Sequence, residues 1–544
     1  MRTVLVVSSR LTHARRAALE RLVGPEGRPE LVDPATATTR LSVADPSVGA
    51  VLLDGPGAGA GTDLAGIGPD VAVVAIGCAV GGAGPAAAEA RGEVVARVSR
   101  PEEPLTQRVD PGFAVVDTFT PLLVTDEAFR PVLTVSHRFV DRPVMVAAGR
   151  IVVCGLGNTD EALDDPRLAT ILRRALRGTT APMTRPLGVG VVGYGPYGGM
   201  GFVHGTAVAA TGGLELVAAC DRDADRRKAS EQDFPGIRAH ATIEELAADE
   251  GVDVAIVALP PVSHAQVAMA LLRAGKHVVI EKPLCLAVAD ADALIAEATA
   301  GGRVLTVHQS RRWDQDFRAV RRAVQGGRLG EVFNIETFVG GFEHPCQAWH
   351  SEDSVSGGTV YDWGSHHVDW ILQLFGTAPA SVTAVGHKRV WRDVTNLDQL
   401  RVRMQWDDGR EAEFMSSDVA AVRRPKFYVQ GTEGTLAGHY RPLAFERLDP
   451  ALGYVRETAH HAEAPADLVL ARYETGEGVA ETRLPLPPVQ PFAFHRNLAD
   501  HLLLGDPLAV SPASSREVVA VLEAATRSAA AGGSPVAVTP RPGG

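Results

Sequence analysis

The stretch GVGVVGYGPYGGMGFVHG, Gly188 to Gly205, decides how this chain is read. An apolar run breaks into a glycine-rich turn and then into a segment that suits a helix. Gly193, Gly195 and Gly198 fit G-x-G-x-x-G directly after a strand. Glycine permits the positive φ of such a turn and lets backbone N–H groups come close to a pyrophosphate. The amino end of the following helix adds partial positive charge. A second register is open. With three extra residues in the turn, Gly201 serves as the last glycine and His204 stands where the helix begins. The next apolar run, LELVAAC, is followed by Asp221, 20 residues after Gly201. An acid at that point bonds the ribose hydroxyls of NAD and repels the 2′-phosphate of NADP. Arg222, Arg226 and Arg227 stand close by. Guanidinium groups bind such a phosphate, so NAD is favoured and NADP stays open.

Outward from this turn, strand and helix patterns alternate. LGVGVVG, LELVAAC, VDVAIVALP, KHVVIEKP and RVLTVHQS read as buried strands, with HAQVAMALLRAGK and ADADALIAEATAGG as helices between them. That alternation predicts a parallel sheet with helices on both faces, a Rossmann domain over 186–309. After Ser310 a helix, WDQDFRAVRRAVQGG, leads into polar–apolar alternation in EVFNIETFVGG, SVTAVGHKRV, LRVRMQWDDGREAEFMSS and PKFYVQGTEGTLAGH. One face of this second sheet is expected to meet solvent or ligand. Two helical patterns, PFAFHRNLADHLLLG and SSREVVAVLEAATRSAAAG, close a domain over 310–540.

More than 180 residues precede the turn. TVLVVS, VGAVLLDG, VAVVAIG and RIVVCGLG read as buried strands, and DPRLATILRRALRG as a helix with its stripe at Leu168, Ile171, Leu172 and Leu176 and its stop at Gly178. The pattern over 1–180 is a flavodoxin-like α/β domain, joined to the rest by the linker TTAPMTRP.

The totals agree with a multidomain globular enzyme. The chain has 544 residues, which suggests roughly three domains. The net charge of -12 argues against nucleic acid, whose phosphates need a basic face. Five scattered cysteines, with no CxxC pair, read as reduced thiols of a cytoplasmic protein. No signal peptide opens the chain, and no apolar run approaches the roughly 20 residues of a membrane span. The adjacent histidines in SHH and AHH lack metal-ligand spacing, so no metal site is expected.

The landmarks then become specific in combination. They are the glycine loop, ALPPVSHAQVAMALLRAGKHVVIEKPL, GGTVYDWGSHHVDWIL, GTEGTL and NLADHLLLGDPLAVSPASSREVVAVLEAA. Taken in order, they make the chain from about Leu187 to Val538 resemble the glucose-fructose oxidoreductase / inositol dehydrogenase (Gfo/Idh/MocA) family. That resemblance implies a Rossmann domain followed by a domain on an open mixed sheet, and NAD(P)-dependent oxidation or reduction of sugars, inositols and related polyols. It also implies pairing of subunits through the carboxy-terminal sheet. It casts Lys282, in the Glu-Lys-Pro motif, as the active-site lysine. Asp362 and His366, in the Asp-x-Gly-x-His-x-x-Asp pattern that Asp369 completes, join the catalytic group. Pro260, Glu281 and Lys282 are expected beside the cofactor. Pro260 falls where this chain departs from the family, with Leu259, Pro260 and Pro261 in place of Thr-Pro-Asn.

The residue chemistry supports these roles. Asp362 and His366 are four apart, one turn on a helix face, so Asp362 is expected to orient His366. Histidine exchanges a proton readily near neutral pH. Lys282 follows a strand at its carboxyl end, where open α/β sheets put their ligands. Arg312, Trp313, Glu343, Trp349, His350 and His495 are substrate-side candidates, because aromatic faces stack on sugar rings and polar groups read hydroxyls. Two other readings share the cofactor: a glycosidase that oxidises its sugar transiently, and a non-enzymatic sensor of NAD and sugar. The latter fits poorly with Lys282, Asp362 and His366 all present.

The leading domain, from about 113 to 178, resembles the ThuA family and its class I glutamine amidotransferase-like fold. It has Asp117-Thr118 where that family tends to have Asp-Glu, and Leu156-Gly157-Asn158 where it tends to have Leu-Gly-His. Cys78 follows a strand, yet no His and Glu partners stand in suitable places after it. The domain is therefore expected to be non-catalytic.

Overall fold

A computed structural model describes residues 2–541 apart from 24–26, 34–35, 38, 41–47, 56–57, 59–70, 81–82, 87–90, 102, 108, 110, 138–139, 178–184, 196–198, 346–348, 442, 450–452, 460–463 and 477. Gly198, Gly178, Cys346 and most of the linker thus lie outside the described residues, as do the histidines of AHH, His460 and His461. The chain forms two compact units. One is Met1–Pro186 with Asn497–Leu508, and the other is Leu187–Arg496 with Ala509–Gly544. The segment Asn497–Leu508, expected in the carboxy-terminal domain, thus groups with the first unit. Buried Arg174 shows why, since its guanidinium bonds Asp506 at 3.2 Å and the carbonyls of Leu105 and Gln107.

The first unit is built on a nine-stranded mixed sheet. Five strands run parallel in the spatial order Gly27–Leu31, Arg2–Ser8, Val48–Asp54, Ala72–Ile76, Ile151–Cys154. These include all four strands read from the apolar runs. Val4 and Val6 pack into one core while Leu5 and Val7 pack into another on the opposite face. A strand covered on both sides has no polar face, which is why these runs are continuously apolar. Antiparallel strands Val140–Ala148, Arg130–His137, Gly92–Val98 and Gly112–Asp117 extend the sheet and were not read from the sequence. The helix Pro166–Leu176 is capped by Asp165, whose carboxylate accepts the Arg167 and Leu168 N–H groups, and it buries Leu168, Ile171 and Leu172 as its stripe requires.

The second unit holds two sheets. The first has six parallel strands, numbered along the chain in the order 3-2-1-4-5-6: Arg238–His240, Leu214–Cys220, Leu187–Val192, Val254–Val257, His277–Ile280, Leu305–Val307. The order reverses beside Leu187–Val192, so the crevice at the carboxyl ends opens above the glycine turn. Arg238–His240 is the strand the sequence did not announce, being only three residues long and polar. The second sheet has nine strands, mixed because Val332–Gly340 runs parallel to Glu411–Ser417 while its other pairings are antiparallel. Helices Gly364–Phe375 and Pro512–Ala530 cover one face through Val368, Trp370, Ile371, Val518, Val521 and Leu522. The other face carries Asn334, Glu336, Tyr428 and Gln430, the polar half of the alternation. Cys78, Cys154, Cys220 and Cys285 are buried thiols. No described helix is long and apolar enough to cross a membrane.

Candidate active site

The glycine turn forms as a tight left-handed passage. Gly193 has φ +88° and Gly195 φ +75°. A Cβ on Gly193 would lie 2.5 Å from the Ala258 carbonyl oxygen, so backbone of the neighbouring strand crosses at contact. Gly201 is equally constrained, since its Cβ would lie 2.4 Å from the Tyr194 oxygen. Gly201 therefore fills the role of the glycine that lets helix and strand pack closely, which favours the register with the inserted residues. The helix runs Met200–Ala209, which puts His204 in its second turn rather than at its start. Gly195 differs from both, because among the described residues its Cβ would meet nothing closer than 3.9 Å. It stands ahead of a helix amino terminus, the cradle a pyrophosphate requires. Asp221 stands at the end of Leu214–Cys220, and its carboxylate accepts the N–H groups of Tyr194 and Gly195 at 3.1 and 3.3 Å. Arg226 is 3.9 Å away, Arg227 donates to the Asp221 carbonyl, and Arg222 is exposed. The residues present fit a dinucleotide.

Next to the turn, Leu259 and Pro260 follow Val254–Val257, and Glu281 and Lys282 follow His277–Ile280. Buried His264 faces the carbonyls of Leu259 and Pro283 from its two ring nitrogens at 2.7 and 2.8 Å, which ties these segments together. The Lys282 ammonium donates to the Asp362 carboxylate at 2.7 Å and to its carbonyl at 3.2 Å. Burial pushes the Asp362 carboxyl up, but the adjacent Lys282 charge outweighs it and holds the group below its ordinary value.

Asp362 ends the short helix Thr359–Asp362, and His366 lies in the next, Gly364–Phe375, beyond a turn at Trp363. The expectation that Asp362 orients His366 is not met, because its carboxylate bonds Lys282 instead. His366 is buried and its Nδ1 has no partner among the described residues. Burial, then the charges of Lys282 and Arg311, hold its pKa well below the ordinary value, so the imidazole is neutral. His367 beside it is a core residue, with its ring 4.8 Å from Trp370 and 4.9 Å from Phe414.

Among the substrate-side candidates, Trp349 is exposed and stacks on His350 with ring centroids 3.7 Å apart. Burial lowers the His350 pKa, Asp362 opposes and Lys282 adds to that, which places His350 within the field of the pair. Glu343 is exposed and pairs with Arg423 at 3.1 Å. Trp313 is half-buried against Phe494.

Three assignments require correction. Arg312 is only 4% exposed, and its guanidinium bonds both carboxylate oxygens of buried Asp369, the Ala509 carbonyl and the Ser514 hydroxyl. It is a structural ion pair that joins the two landmarks. The Glu281 carboxylate is taken up by protein partners, the Lys282 N–H on Oε2 and two histidines on Oε1. Its Oε1 lies 2.9 Å from His204 Nε2 and 2.6 Å from His308 Nδ1. His495 is buried with its Nε2 3.0 Å from His204 Nδ1. These three histidines come from segments about a hundred or more residues apart, so no spacing could announce them.

The sequence reading also missed Asp418. Burial, then the charges of Asp362, Asp398 and Glu343, push its carboxyl up to about 6. Only the long-range fold brings these acids together.

Comparison with known proteins agrees with this geometry. The family described as "Oxidoreductase family, NAD-binding Rossmann fold" matches residues 187–309, and the "GFO/IDH/MocA C-terminal domain" matches 317–437. The uncharacterized oxidoreductase YdgJ of Escherichia coli K12 is 30% identical over 342 residues, which are 63% of this chain and 95% of that protein. The scyllo-inositol 2-dehydrogenase (NADP(+)) IolW of Bacillus subtilis is 25% identical over 62% of this chain and 93% of its own. The 1,5-anhydro-D-fructose reductase of Ensifer adhaerens is 30% identical over 43% of this chain and 70% of its own. Among solved structures, an NAD-binding protein from Listeria innocua superposes with a TM-score of 0.55 at 28% identity, covering 65% of this chain and 97% of that one.

Proposed function

The chain belongs to the GFO/IDH/MocA family of NAD(P)-dependent oxidoreductases acting on CH–OH groups, and on that premise we propose that its substrate is a sugar, inositol or related polyol. The observation that carries this reading is the Lys282–Asp362 pair with neutral His366 in its field, at the carboxyl edge of the sheet that holds the glycine turn. Two relatives whose names state a substrate act on an inositol and an anhydro-sugar, and a third acts on a dihydroxycyclohexadiene, which fits a hydroxylated ring lying against the exposed Trp349.

Bound NAD(P) supplies the hydride acceptor or donor. The chain's own residues handle the proton. In this reading His366 takes the hydroxyl proton in oxidation and returns it in reduction, its neutral ring being the form able to accept. Lys282 donates a hydrogen bond to the same oxygen. Asp362 holds the lysine charged and aimed. Gly195 would let backbone N–H groups hold the pyrophosphate, Gly193 and Gly201 keep the turn and its helix packed closely, and Asp221 would hold the ribose hydroxyls. The exposed arginines around Asp221 leave NAD and NADP both open.

The amino-terminal unit is read as a flavodoxin-like, ThuA-like domain without chemistry of its own. Its parallel strands run in the order 2-1-3-4-5, and its carboxyl edge is filled by Arg10, Arg15 and Asp54. The polar face of the carboxy-terminal sheet is the surface assigned to pairing of copies. A panel of inositols, sugars and polyols with both cofactors, followed at the reduced nicotinamide absorbance band, tests the substrate class. Turnover confined to hydroxy acids or simple alcohols would overturn it.

A further inference from the structure

Four side chains that the hydride chemistry does not require meet inside the second unit. His204 comes from the helix after the glycine turn, His308 from just beyond Leu305–Val307, His495 from the helix Ala493–Leu504, and Glu281 from the end of His277–Ile280. All are at least nine-tenths buried. One ring nitrogen from each histidine lies within 4.8 Å of the other two. We propose that this cluster is a binding site for a divalent transition-metal ion, with Zn²⁺ as the best fit, held by His204, His308 and His495 and supported by Glu281.

The donor chemistry selects the ion. Imidazole nitrogens are borderline ligands and suit zinc over the hard cations, which prefer all-oxygen sites. Three histidines with a nearby carboxylate are a donor set that zinc takes up readily. At a zinc–nitrogen distance of about 2.0–2.1 Å, tetrahedral ligand atoms stand about 3.3 Å apart. The observed 3.0 Å between His204 Nδ1 and His495 Nε2 is close to that spacing. Glu281 strengthens the case. It sits against His204 Nε2 at 2.9 Å and His308 Nδ1 at 2.6 Å, so a single carboxylate fixes the tautomers of two rings. Metal-binding histidines are oriented by carboxylates in the same way.

Without metal, Glu281 holds His204 with its proton on Nε2, so His495 Nε2–H donates to the bare Nδ1 of His204. An incoming cation takes that proton's place, and the ring that donated it carries its proton on the other nitrogen. No redox change accompanies the exchange. The fourth position is left to water. The ion would fasten the helix of the cofactor turn, the strand end at His308 and the first turn of Ala493–Leu504 to Glu281. Lys282 is the next residue, and its N–H donates to Glu281 Oε2 at 3.1 Å. Metal occupancy would thereby set the position of the catalytic lysine's backbone.

The test uses the full untagged chain, stripped with chelator and titrated with Co²⁺ and with Zn²⁺ alone, without cofactor or substrate. The expected result is one equivalent bound per chain, a visible Co²⁺ band of a four- or five-coordinate site that Zn²⁺ displaces, and a higher Tm with metal. His495→Phe should abolish the band, and Glu281→Gln should weaken metal binding by about 10–100-fold. Absence of a band and of bound zinc in the wild-type chain would overturn the proposal without any variant. Binding undiminished in His495→Phe would overturn the placement. Neither readout depends on turnover, so failure here leaves the substrate reading untouched.

Discussion

The parallel strands of the first unit's mixed sheet and those of the Rossmann sheet end at carboxyl edges that have been treated in opposite ways. In the first unit the edge is closed by charge. Asp54, at the end of Val48–Asp54, is fully buried and bonded by both Arg10 and Arg15, while Arg15 also donates to the Gly157 carbonyl and Asp160. Arg10 reaches Asn158, whose amide donates to the carbonyls of Thr118 and Gly155. Asp117 takes up the N–H groups of Gly157, Asn158 and Thr159. In the Rossmann sheet the corresponding edge is lined by glycine, with no described atom closer than 3.9 Å to a Cβ on Gly195 and with Lys282 and Asp362 half-exposed. The same strand architecture thus serves as a site or as a core according to whether its crevice is left open or filled with ion pairs. Fold alone does not decide function.

The largest expected effect lies at the open edge. Lys282→Met and His366→Ala should each lower kcat by about 10²–10⁴, the usual contribution of a general acid–base group, with NAD(H) affinity retained. Stopped-flow turnover and calorimetry on a confirmed substrate would check this. Near-normal kcat in both variants would remove the distinction between the two edges.

The closed edge should answer in stability instead. Asp54→Asn leaves the buried Arg15 guanidinium without its counter-charge, and breaking one partner of a buried pair typically costs about 3–5 kcal/mol. Burial works against the Asp54 anion, and the two arginines overcome it, so its pKa is lowered. The stability it contributes is present above the ordinary carboxylate range and is lost as pH falls through the lowered folded value. Hydrogen exchange in Val48–Asp54 should accelerate in the variant while kcat barely changes. Unchanged protection would show that the pair stabilises nothing.

How much of this contrast was legible beforehand follows from the range of each interaction. Periodicity reports what a strand or helix buries locally, so the parallel strands, the alternating strands of the second sheet and the closing helices could be read, while the mixed pairing of that sheet came only from the family resemblance. The glycines and Asp221 could be read because their geometry is fixed within one βαβ unit. Side-chain pairing across hundreds of residues leaves no such trace. Arg312 looked like a substrate contact as a polar group able to read hydroxyls, yet Asp369 takes it into the core. Asp362 looked like the partner of His366 from the four-residue spacing, yet Lys282 bonds it. The charge filling the first edge was missed because Arg10, Arg15 and Asp54 look like ordinary surface residues until their burial is known.

Gly195→Val should weaken NAD(H) binding by at least about tenfold, or about 1.4 kcal/mol. The φ of +75° strains any L side chain, and the isopropyl group would enter the pyrophosphate's space while meeting no described protein atom closer than 3.9 Å at its Cβ. Unaltered calorimetric affinity in a folded variant would move the cofactor elsewhere. An effect that depends on pH is expected from Asp418→Asn. Burial and three neighbouring acids raise the wild-type carboxyl to about 6, so the fold favours its protonated form. That contribution is complete below the ordinary value near 4 and is lost as pH rises through about 6. The variant should therefore gain up to about 3 kcal/mol over wild type at pH 8 and little at pH 4. Parallel denaturation curves across that range would reveal the crossover or its absence.

The smallest effect is the most pointed test of the contrast. Cys78 follows Ala72–Ile76 at the closed edge, where a nucleophile would stand if this unit had chemistry. It is 1% exposed, its Sγ donates to the Leu53 carbonyl at 3.8 Å, and a Cβ on Gly77 just before it would lie 2.7 Å from Asn158 Oδ1. A reactive thiol needs access and a neighbouring positive charge or base. The arginines nearby bond Asp54, and the thiol is closed off. Cys78→Ala should leave turnover within about twofold, and a thiol reagent applied to the folded chain should leave Cys78 unmodified. Rapid labelling of Cys78, or loss of a hydrolytic activity in the variant with folding intact, would mean that the first edge opens after all and that the charge at its mouth serves a second reaction.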